Sequence, residues 1–123
     1  MLPDVNVWLA LVWDGHRQHE RARAWFEGRA GMRYFCRVSQ MGLLRLLTQP
    51  AVMGEDVLSQ QGAWQVYETL RSEAGCSLRA EPAGVESTWK TLSSREETAH
   101  RRWTDDYLTA FAMESGLELV TFD

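Results

Sequence analysis

Three aspartates, far apart in the sequence, are the side chains of this chain whose type and spacing could do chemistry. Asp4 closes a short apolar strand at the start of the chain, and Asp105 stands near the beginning of a helix. Asp123 is the last residue and follows a second apolar strand. In α/β proteins the carboxyl ends of parallel strands share the edge of the sheet where sites are usually built. The positions therefore predict that the three carboxylates converge.

Converging carboxylates call for a divalent cation, because like charges brought together resist ionisation unless a cation neutralises them. Hard oxygen ligands without Cys or His at metal-binding spacing favour Mg²⁺ or Mn²⁺ over zinc. Taken singly, Asp4 is explained equally well as a helix N-cap, and Asp105 as an acid stabilised by a helix dipole. Asp123 has the least structural explanation. We interpret the trio as a Mg²⁺ or Mn²⁺ site.

Three polar side chains are expected to support that site. Asn6 could orient Asp4 or a metal-bound water, or it could make a local turn bond instead. Thr121 points away from the face of Phe122, so its hydroxyl could bond a neighbouring acid. Ser39 is expected to cap the helix that follows the second strand.

The start of the last helix carries a second acid and an aromatic residue. Asp106 follows Asp105, and helical geometry separates them by about 100°, so one of the two is expected to face the strand ends. Thr104 is the expected cap of this helix. Trp103 fits core packing, or a place on the rim of the site where it would stack on a base.

Strands and helices alternate along the chain, which predicts an α/β fold with a parallel sheet, because parallel neighbours need crossover helices. Expected strands cover residues 2–6, 32–36 and 76–79, and a last strand precedes Asp123. Expected helices cover residues 7–13, 16–28 and 39–48, start again at Asp56 or Ser59, and resume at 82–92 and from 104, after a polar loop at 93–101.

Composition limits the possible classes. The 123 residues, 45% apolar and 24% charged, predict one globular domain over residues 1–123 and argue against disorder. No apolar run approaches the roughly 20 residues of a membrane span, and no signal peptide is recognisable.

Cys36 and Cys76 lack metal-site spacing and are expected to be reduced thiols of a cytoplasmic protein. The net charge of −4 does not indicate a bulk polyanion binder. Lys90 is the single lysine; the abundant arginines suit phosphate contacts, or reflect a GC-rich genome.

Three segments carry a resemblance to a known family. They read LPDVNVWLAL at residues 2–11, CRVSQMGLLRLLTQP at 36–50, and WTD with GLELVTFD between 103 and 123. They resemble PIN-domain proteins and, within these, the VapC-type toxins of bacterial toxin–antitoxin pairs. The likeness runs through essentially the whole chain, and its most specific part joins Asp105 to Thr121 and Asp123.

The resemblance implies a three-layer α/β/α sandwich around a central, mostly parallel sheet. It also implies a Mg²⁺- or Mn²⁺-dependent ribonuclease that forms homodimers, acts on an RNA substrate and is neutralised by a cognate antitoxin. The metal-site roles it assigns fall on Asp4, Asp105 and Asp123, and Asp106 becomes a neighbour of the site.

Two departures from the family pattern bear on activity. The family usually has a glutamate early in the helix after the second strand, and that position is Gly42 here. Ser39 or Gln40 would then hold a metal through a water at best. Relatives typically continue beyond the last acid, so a chain that ends at Asp123 is expected to be truncated at its C-terminus.

Two other functions remain open at this stage. Without the acid at Gly42, the domain could bind RNA or its antitoxin and not cut. A phosphotransfer fold, with Asp4 as the phosphorylated group, is disfavoured because such folds need a lysine at the site, and Lys90 belongs to an expected surface helix.

Overall fold

The structure, a computed structural model, describes residues 1–73 and 75–122. Within these ranges the strands are β1 (Leu2–Pro3), β2 (Arg33–Phe35), β3 (Cys76–Leu78) and β4 (Leu119–Val120). The α-helices are α1 (Val5–Val12), α2 (His19–Gly28), α3 (Arg37–Leu47), α4 (Pro50–Met53), α5 (Gln60–Ser72), α6 (Val85–Ser93) and α7 (Trp103–Ser115), and a 3₁₀ turn covers Gly54–Asp56. No helix in this part of the chain has the length and apolar character needed to cross a bilayer.

The strands form a parallel sheet in the order β3–β2–β1–β4. β1 pairs with β4 and β2 pairs with β3, both in parallel. Between the two pairs, the backbone N–H of Tyr34 donates to the carbonyl of Met1 at 2.8 Å. The N-terminal ammonium donates to the carbonyl of Met32 at 2.9 Å. The carboxyl ends of all four described strands therefore lie at one edge, which confirms the predicted α/β architecture.

Two apolar cores cover the two faces of this sheet. In the first, Trp8 of α1 stacks on Phe35 with ring centroids 3.9 Å apart, together with residues of α3 and α5. In the second, Leu2 of β1 packs with Phe111 of α7 and Val85 of α6. Side chains of a strand alternate between faces, so β2 contributes Phe35 to the first core and Tyr34 to the second. Helices on each face of the sheet give the three-layer sandwich.

Helix starts differ from the sequence predictions in ways that matter for the site. Helix α1 begins at Val5, because Asp4 is its N-cap and the strand before it is only two residues long. Helix α3 begins at Arg37 and is capped by Cys36, so the prediction that Ser39 is the N-cap was wrong. Helix α7 begins at Trp103 with no side-chain cap, so Thr104 is not a cap either. Ser59 caps α5 as predicted, its hydroxyl accepting from the backbone N–H of Gly62 at 3.0 Å.

A buried arginine ties helix α2 to the sheet. Arg33 of β2 is only 6% exposed, and its guanidinium donates to the carbonyl oxygens of Phe26, at 2.5 Å, and Arg29. These carbonyls lie at the end of α2, where backbone acceptors lack helical partners. The guanidinium also lies over the Phe26 ring, 4.1 Å from its centroid. Arg33 thus caps α2 and fixes that helix beside β2.

We expect Arg33→Met to lower the free energy of unfolding by about 2 kcal/mol, because it removes charge-assisted bonds to buried carbonyls while keeping the apolar stem. Urea denaturation followed by circular dichroism measures this change. Arg23→Met is the matched control, since Arg23 makes only an exposed i,i+4 pair with Glu27; its effect should stay within about 0.5 kcal/mol. Equal effects of the two substitutions would contradict the capping role.

Candidate functional site

Asp4 is held at the carboxyl edge of the sheet by its own backbone. Its N–H donates to the carbonyl of Val120 at 3.0 Å, which extends the β1–β4 pairing by one residue. Its Oδ1 accepts the backbone N–H of Val7 at 3.0 Å in the first turn of α1. The positive end of the helix dipole favours a carboxylate at this position. The N-cap interpretation of Asp4 is therefore correct, and it fixes the half-buried carboxylate where the predicted site needs it.

Asp105 and Asp106 are neighbours in α7 with opposite environments. Asp106 is 5% exposed and accepts two hydrogen bonds from Arg95, at 2.6 and 2.8 Å. These bonds hold the pKa of the Asp106 carboxyl below its usual value. Asp105 is exposed in the first turn of the same helix. The ion pair commits Asp106 to structure, which leaves Asp105 as the exposed carboxylate at this helix start.

Two of the predicted supporting residues lie close to Asp4 in the fold. Thr121 directly follows Val120, so the register of β1 and β4 places it level with Asp4, and it is exposed. Asn6 is exposed in the first turn of α1. The third predicted ligand, Asp123, lies outside the described residues, and its role stays a prediction. Residues 1–73 and 75–122 contain no group of three His, Cys, Asp or Glu side chains placed to hold a metal.

The donor atoms of the predicted site residues suit a hard cation. Asp4 and Asp105 carry carboxylates, and the exposed Thr121 and Asn6 carry hydroxyl and amide oxygens, all donors of the kind Mg²⁺ prefers. The Cys36 thiol, which follows β2, is fully buried, with its Sγ 3.5 Å from the Ser39 Oγ. The chemistry of the predicted ligands therefore fits magnesium or manganese better than zinc.

Ser39 and Gln40 are both buried at the start of α3, where they have structural partners. The Ser39 hydroxyl accepts the N–H of Cys36 at 3.0 Å and donates to its carbonyl at 3.2 Å, with no exposure to solvent. The Gln40 Oε1 accepts from Arg37 at 2.6 Å. A water-bridged metal contact through Ser39 does not fit this burial. Ser39 stabilises the start of α3, and its support of a metal site stays a prediction.

Gly42 marks a close contact between α1 and α3. A Cβ at this position would lie 2.7 Å from Cγ2 of Val5, the residue that follows Asp4. Real Cβ atoms essentially never approach a neighbour so closely, so any side chain here would require Val5 to move. The position where the family usually has an acid is thus next to the site, and in this chain it is used for helix packing.

Arg95 is the site-proximal residue that the sequence analysis missed. It lies in the polar segment between α6 and α7, which shows no periodic pattern. Its bidentate pair with Asp106 joins that segment to the first turn of α7, and α7 carries Asp105. No local signal links a loop arginine to a helix acid eleven positions later, so the pair becomes visible only in the fold.

Comparisons with known proteins agree with this architecture. The sequence model of the PIN domain matches residues 1–123. Ribonuclease VapC41 of Mycobacterium tuberculosis is 40% identical over 129 residues, covering 100% of this chain and 88% of the relative. Ribonuclease VapC38 of the same organism is 32% identical over 123 residues, covering 99% and 84%.

A solved structure is similar in fold. The crystal structure of VapC20 from Mycobacterium tuberculosis, a toxin that cleaves the sarcin–ricin loop, matches with a TM-score of 0.70 at 17% identity. The match covers 99% of this chain and 88% of that one. At this identity the likeness supports the fold alone.

Substitutions of the two adjacent aspartates should have different effects on the stability of the protein. We expect Asp106→Asn to lower the midpoint of thermal unfolding by roughly 5 °C at pH 7, because the Arg95 pair is lost, whereas Asp105→Asn should change it little. Folding lowers the Asp106 pKa, so its contribution is present above the ordinary carboxyl pKa and is lost as pH falls through the folded value. The difference between wild type and Asp106→Asn should therefore shrink below about pH 4.

Differential scanning calorimetry from pH 3 to pH 7 measures both effects. Equal midpoints for the two variants at pH 7, or a gap that stays constant at low pH, would contradict the assignment of Asp106 to a structural ion pair.

Proposed function

This chain belongs to the PIN-domain family, among the VapC-type toxins, and on that premise we propose that it is a metal-dependent endoribonuclease, the toxin of a toxin–antitoxin pair. The observation that carries the proposal is the position of Asp4, held by Val120 at the edge where β1 and β4 both end. The ribonuclease names of relatives that align with the whole chain support the activity. The proposed ligands of Mg²⁺ or Mn²⁺ are Asp4, Asp105 and Asp123.

In the proposed reaction water attacks an RNA phosphodiester and displaces the 3′ oxygen. The chemistry supplied by a bound divalent ion is activation of that water and stabilisation of charge on the leaving oxygen. Asp4 presents its carboxyl group in a fixed direction, because its backbone belongs to the sheet and its Oδ1 accepts from the backbone N–H of Val7. Asp105 would contribute its carboxylate from α7, where the Arg95–Asp106 ion pair fixes the first turn of the helix. Thr121 and Asn6 would orient water or a neighbouring carboxylate.

Electrostatics require basic residues beside the acids, since an acidic cleft repels RNA. Arg37 is exposed at the start of α3, and Arg101 and Arg102 are exposed just before α7. All three flank the helix starts at the carboxyl edge of the sheet and suit contacts to phosphates, which position a substrate without reading its sequence. Arg45, whose place in α3 would otherwise make it a fourth candidate, lines a different cleft with Thr48 and Trp64.

Substitution of the proposed ligands should abolish cleavage of single-stranded RNA in Mg²⁺. We expect Asp4→Asn and Asp105→Asn each to lower kcat/KM by at least about 100-fold, because residues that merely orient metal ligands already contribute about 10- to 100-fold. EDTA should abolish wild-type cleavage, and added Mg²⁺ or Mn²⁺ should restore it. The measurement is cleavage of a 5′-labelled RNA on a denaturing gel.

Asp14→Asn is the matched control, because Asp14 is an exposed aspartate in the turn after α1. It should retain wild-type activity. Cleavage that is equal in wild type, Asp4→Asn and EDTA would refute the metal-dependent mechanism.

The alternative function is binding of RNA or antitoxin without cleavage, and the observation that favours it is Gly42. Helix packing against Val5 occupies the position of the family's usual acid. We expect Gly42→Glu alone to destabilise the fold by about 1–3 kcal/mol through overpacking, and Val5→Ala to relieve this. The alternative requires Val5→Ala/Gly42→Glu to cleave RNA at least about tenfold faster than Val5→Ala/Gly42→Gln. Similar rates for these two variants, with an active wild type, would rule out the alternative.

The remaining parts of the proposal concern partners and assembly. An RNA substrate and a cognate antitoxin follow from the family, as do a single domain over residues 1–123 and a homodimer. A cytoplasmic location fits an RNA substrate and the free thiols of Cys36 and Cys76. Size-exclusion chromatography with light scattering, with and without antitoxin, measures the assembly state directly.

A further inference from the structure

A groove lies between the starts of α3 and α7, beside the proposed site. Its lining includes Arg37 and Val38 from α3, and Trp103, Thr104 and Tyr107 from α7, around a volume of about 480 Å³. Thr104 and Trp103 belong to the first turn of α7, which also carries Asp105 on another side of the helix. Arg37 follows Cys36 at the end of β2, the neighbour of β1 in the sheet. The groove therefore opens at the same sheet edge as Asp4.

Trp103 presents a large aromatic ring at this groove, and Trp89 contacts both its backbone and its ring. The residue is 54% exposed, although indoles are normally largely buried. Its carbonyl accepts the indole N–H of Trp89 at 3.0 Å, and the two rings meet edge to face with centroids 6.2 Å apart. Trp89 in turn packs edge to face on Tyr107 at 5.3 Å. These contacts support the backbone and one edge of Trp103 while more than half of the residue remains accessible to solvent.

Charges of both signs lie around Trp103, since Glu86 and Glu97 line neighbouring clefts that it also borders, and the arginines are the groups suited to a polyanion. Arg101 and Arg102, both exposed, come directly before Trp103. Arg37 lies across the groove. The carboxylate in the lining is Glu81, which accepts the hydroxyl of Tyr107. Exposed aromatic faces interleaved with arginines are the pattern by which proteins hold single-stranded nucleic acid.

We propose that Trp103 is a stacking platform for one unpaired nucleobase of the RNA substrate, with Arg37 contacting the backbone across the groove. The inference rests on the proposed ribonuclease function and adds a substrate-binding residue to it. Trp103 and Asp105 are two residues apart, which separates them by about 200° around the helix, so they lie on nearly opposite sides of α7. The indole therefore binds substrate away from that proposed metal ligand and takes no part in the chemistry.

Single-stranded RNA is favoured over a peptide as the occupant because this surface combines an exposed indole with exposed arginines. A base stacks face to face on an indole while its backbone phosphates reach arginines on both sides, and double-stranded RNA offers no free base. An apolar peptide would use the indole and Val38 but would offer no anionic groups to Arg37, Arg101 and Arg102. The groove thus matches the chemistry of an unstacked nucleotide.

The test is a binding measurement in the full chain carrying Asp4→Asn, which removes cleavage from the assay. The probe is a fluorescein-labelled single-stranded RNA of about 12 nucleotides, and the readout is anisotropy. We expect Trp103→Ala to weaken binding roughly tenfold, and Trp103→Phe, which keeps an aromatic face, to weaken it no more than about threefold. Trp64→Ala is the matched control: Trp64 is 46% exposed and lines a separate cleft, so its loss should change binding less than about twofold.

A set of RNAs, each with one abasic nucleotide, identifies the stacked base. At one position the abasic change and Trp103→Ala should not add, because each removes the same contact. Additive effects at every position would overturn the proposal, as would RNA affinity unchanged by Trp103→Ala, or no RNA binding by the parent chain. Loss of antitoxin affinity with unchanged RNA affinity would assign the groove to a peptide and also overturn it. Because only binding is scored, an inactive wild type would reject the proposed catalysis and leave this test intact.

Discussion

Backbone pairing between the first and the last described strands is the constraint on which the rest of this structure depends. β1 and β4 are two residues each, and the Asp4 N–H to Val120 bond extends their ladder into the site. Such a short pairing gains little from its few hydrogen bonds and needs support from packing. Leu2 and Val120 supply it, because both are buried between the sheet and the helices. The geometry of the candidate site is therefore set by apolar packing of strands that come from opposite ends of the chain.

Helix starts then decide which polar side chains remain for chemistry. Asp105 and Asp106 differ by one position, and the rotation of about 100° between them gives one to Arg95 and the other to solvent. A comparable competition takes place where α1 meets α3. Gly42 lets the two helices approach each other at Val5. A carboxylate side chain at position 42 would need the space that the Val5 side chain occupies. In both places the backbone geometry sets the number of acids that the site presents.

The distribution of charge explains how an acidic protein can meet RNA. The net charge is −4, yet arginines stand at the starts of α3 and α7, towards the sheet edge where Asp4 follows β1. Short-range contacts to phosphates can outweigh a modest net repulsion, because screening limits long-range fields to about 8–10 Å. The exposed indole of Trp103 belongs to this same edge. Substrate contacts and proposed catalytic groups therefore share the helix starts, and a change in either helix would affect both.

The sequence by itself determined the alternation of strands and helices, a helix start at Asp56 or Ser59 and the aspartate at the end of β1, because periodicity, capping and turn chemistry act within a few residues. It also supplied the family resemblance, through residues at both ends of the chain. Only the tertiary structure decided that Cys36 and not Ser39 caps α3, that Arg33 caps α2, and that Arg95 pairs with Asp106. The Cys36 cap is set by where β2 ends, and the two arginine contacts join segments with no common local pattern. They form when the sheet order and the helix packing bring the partners together, and that arrangement is a property of the whole core.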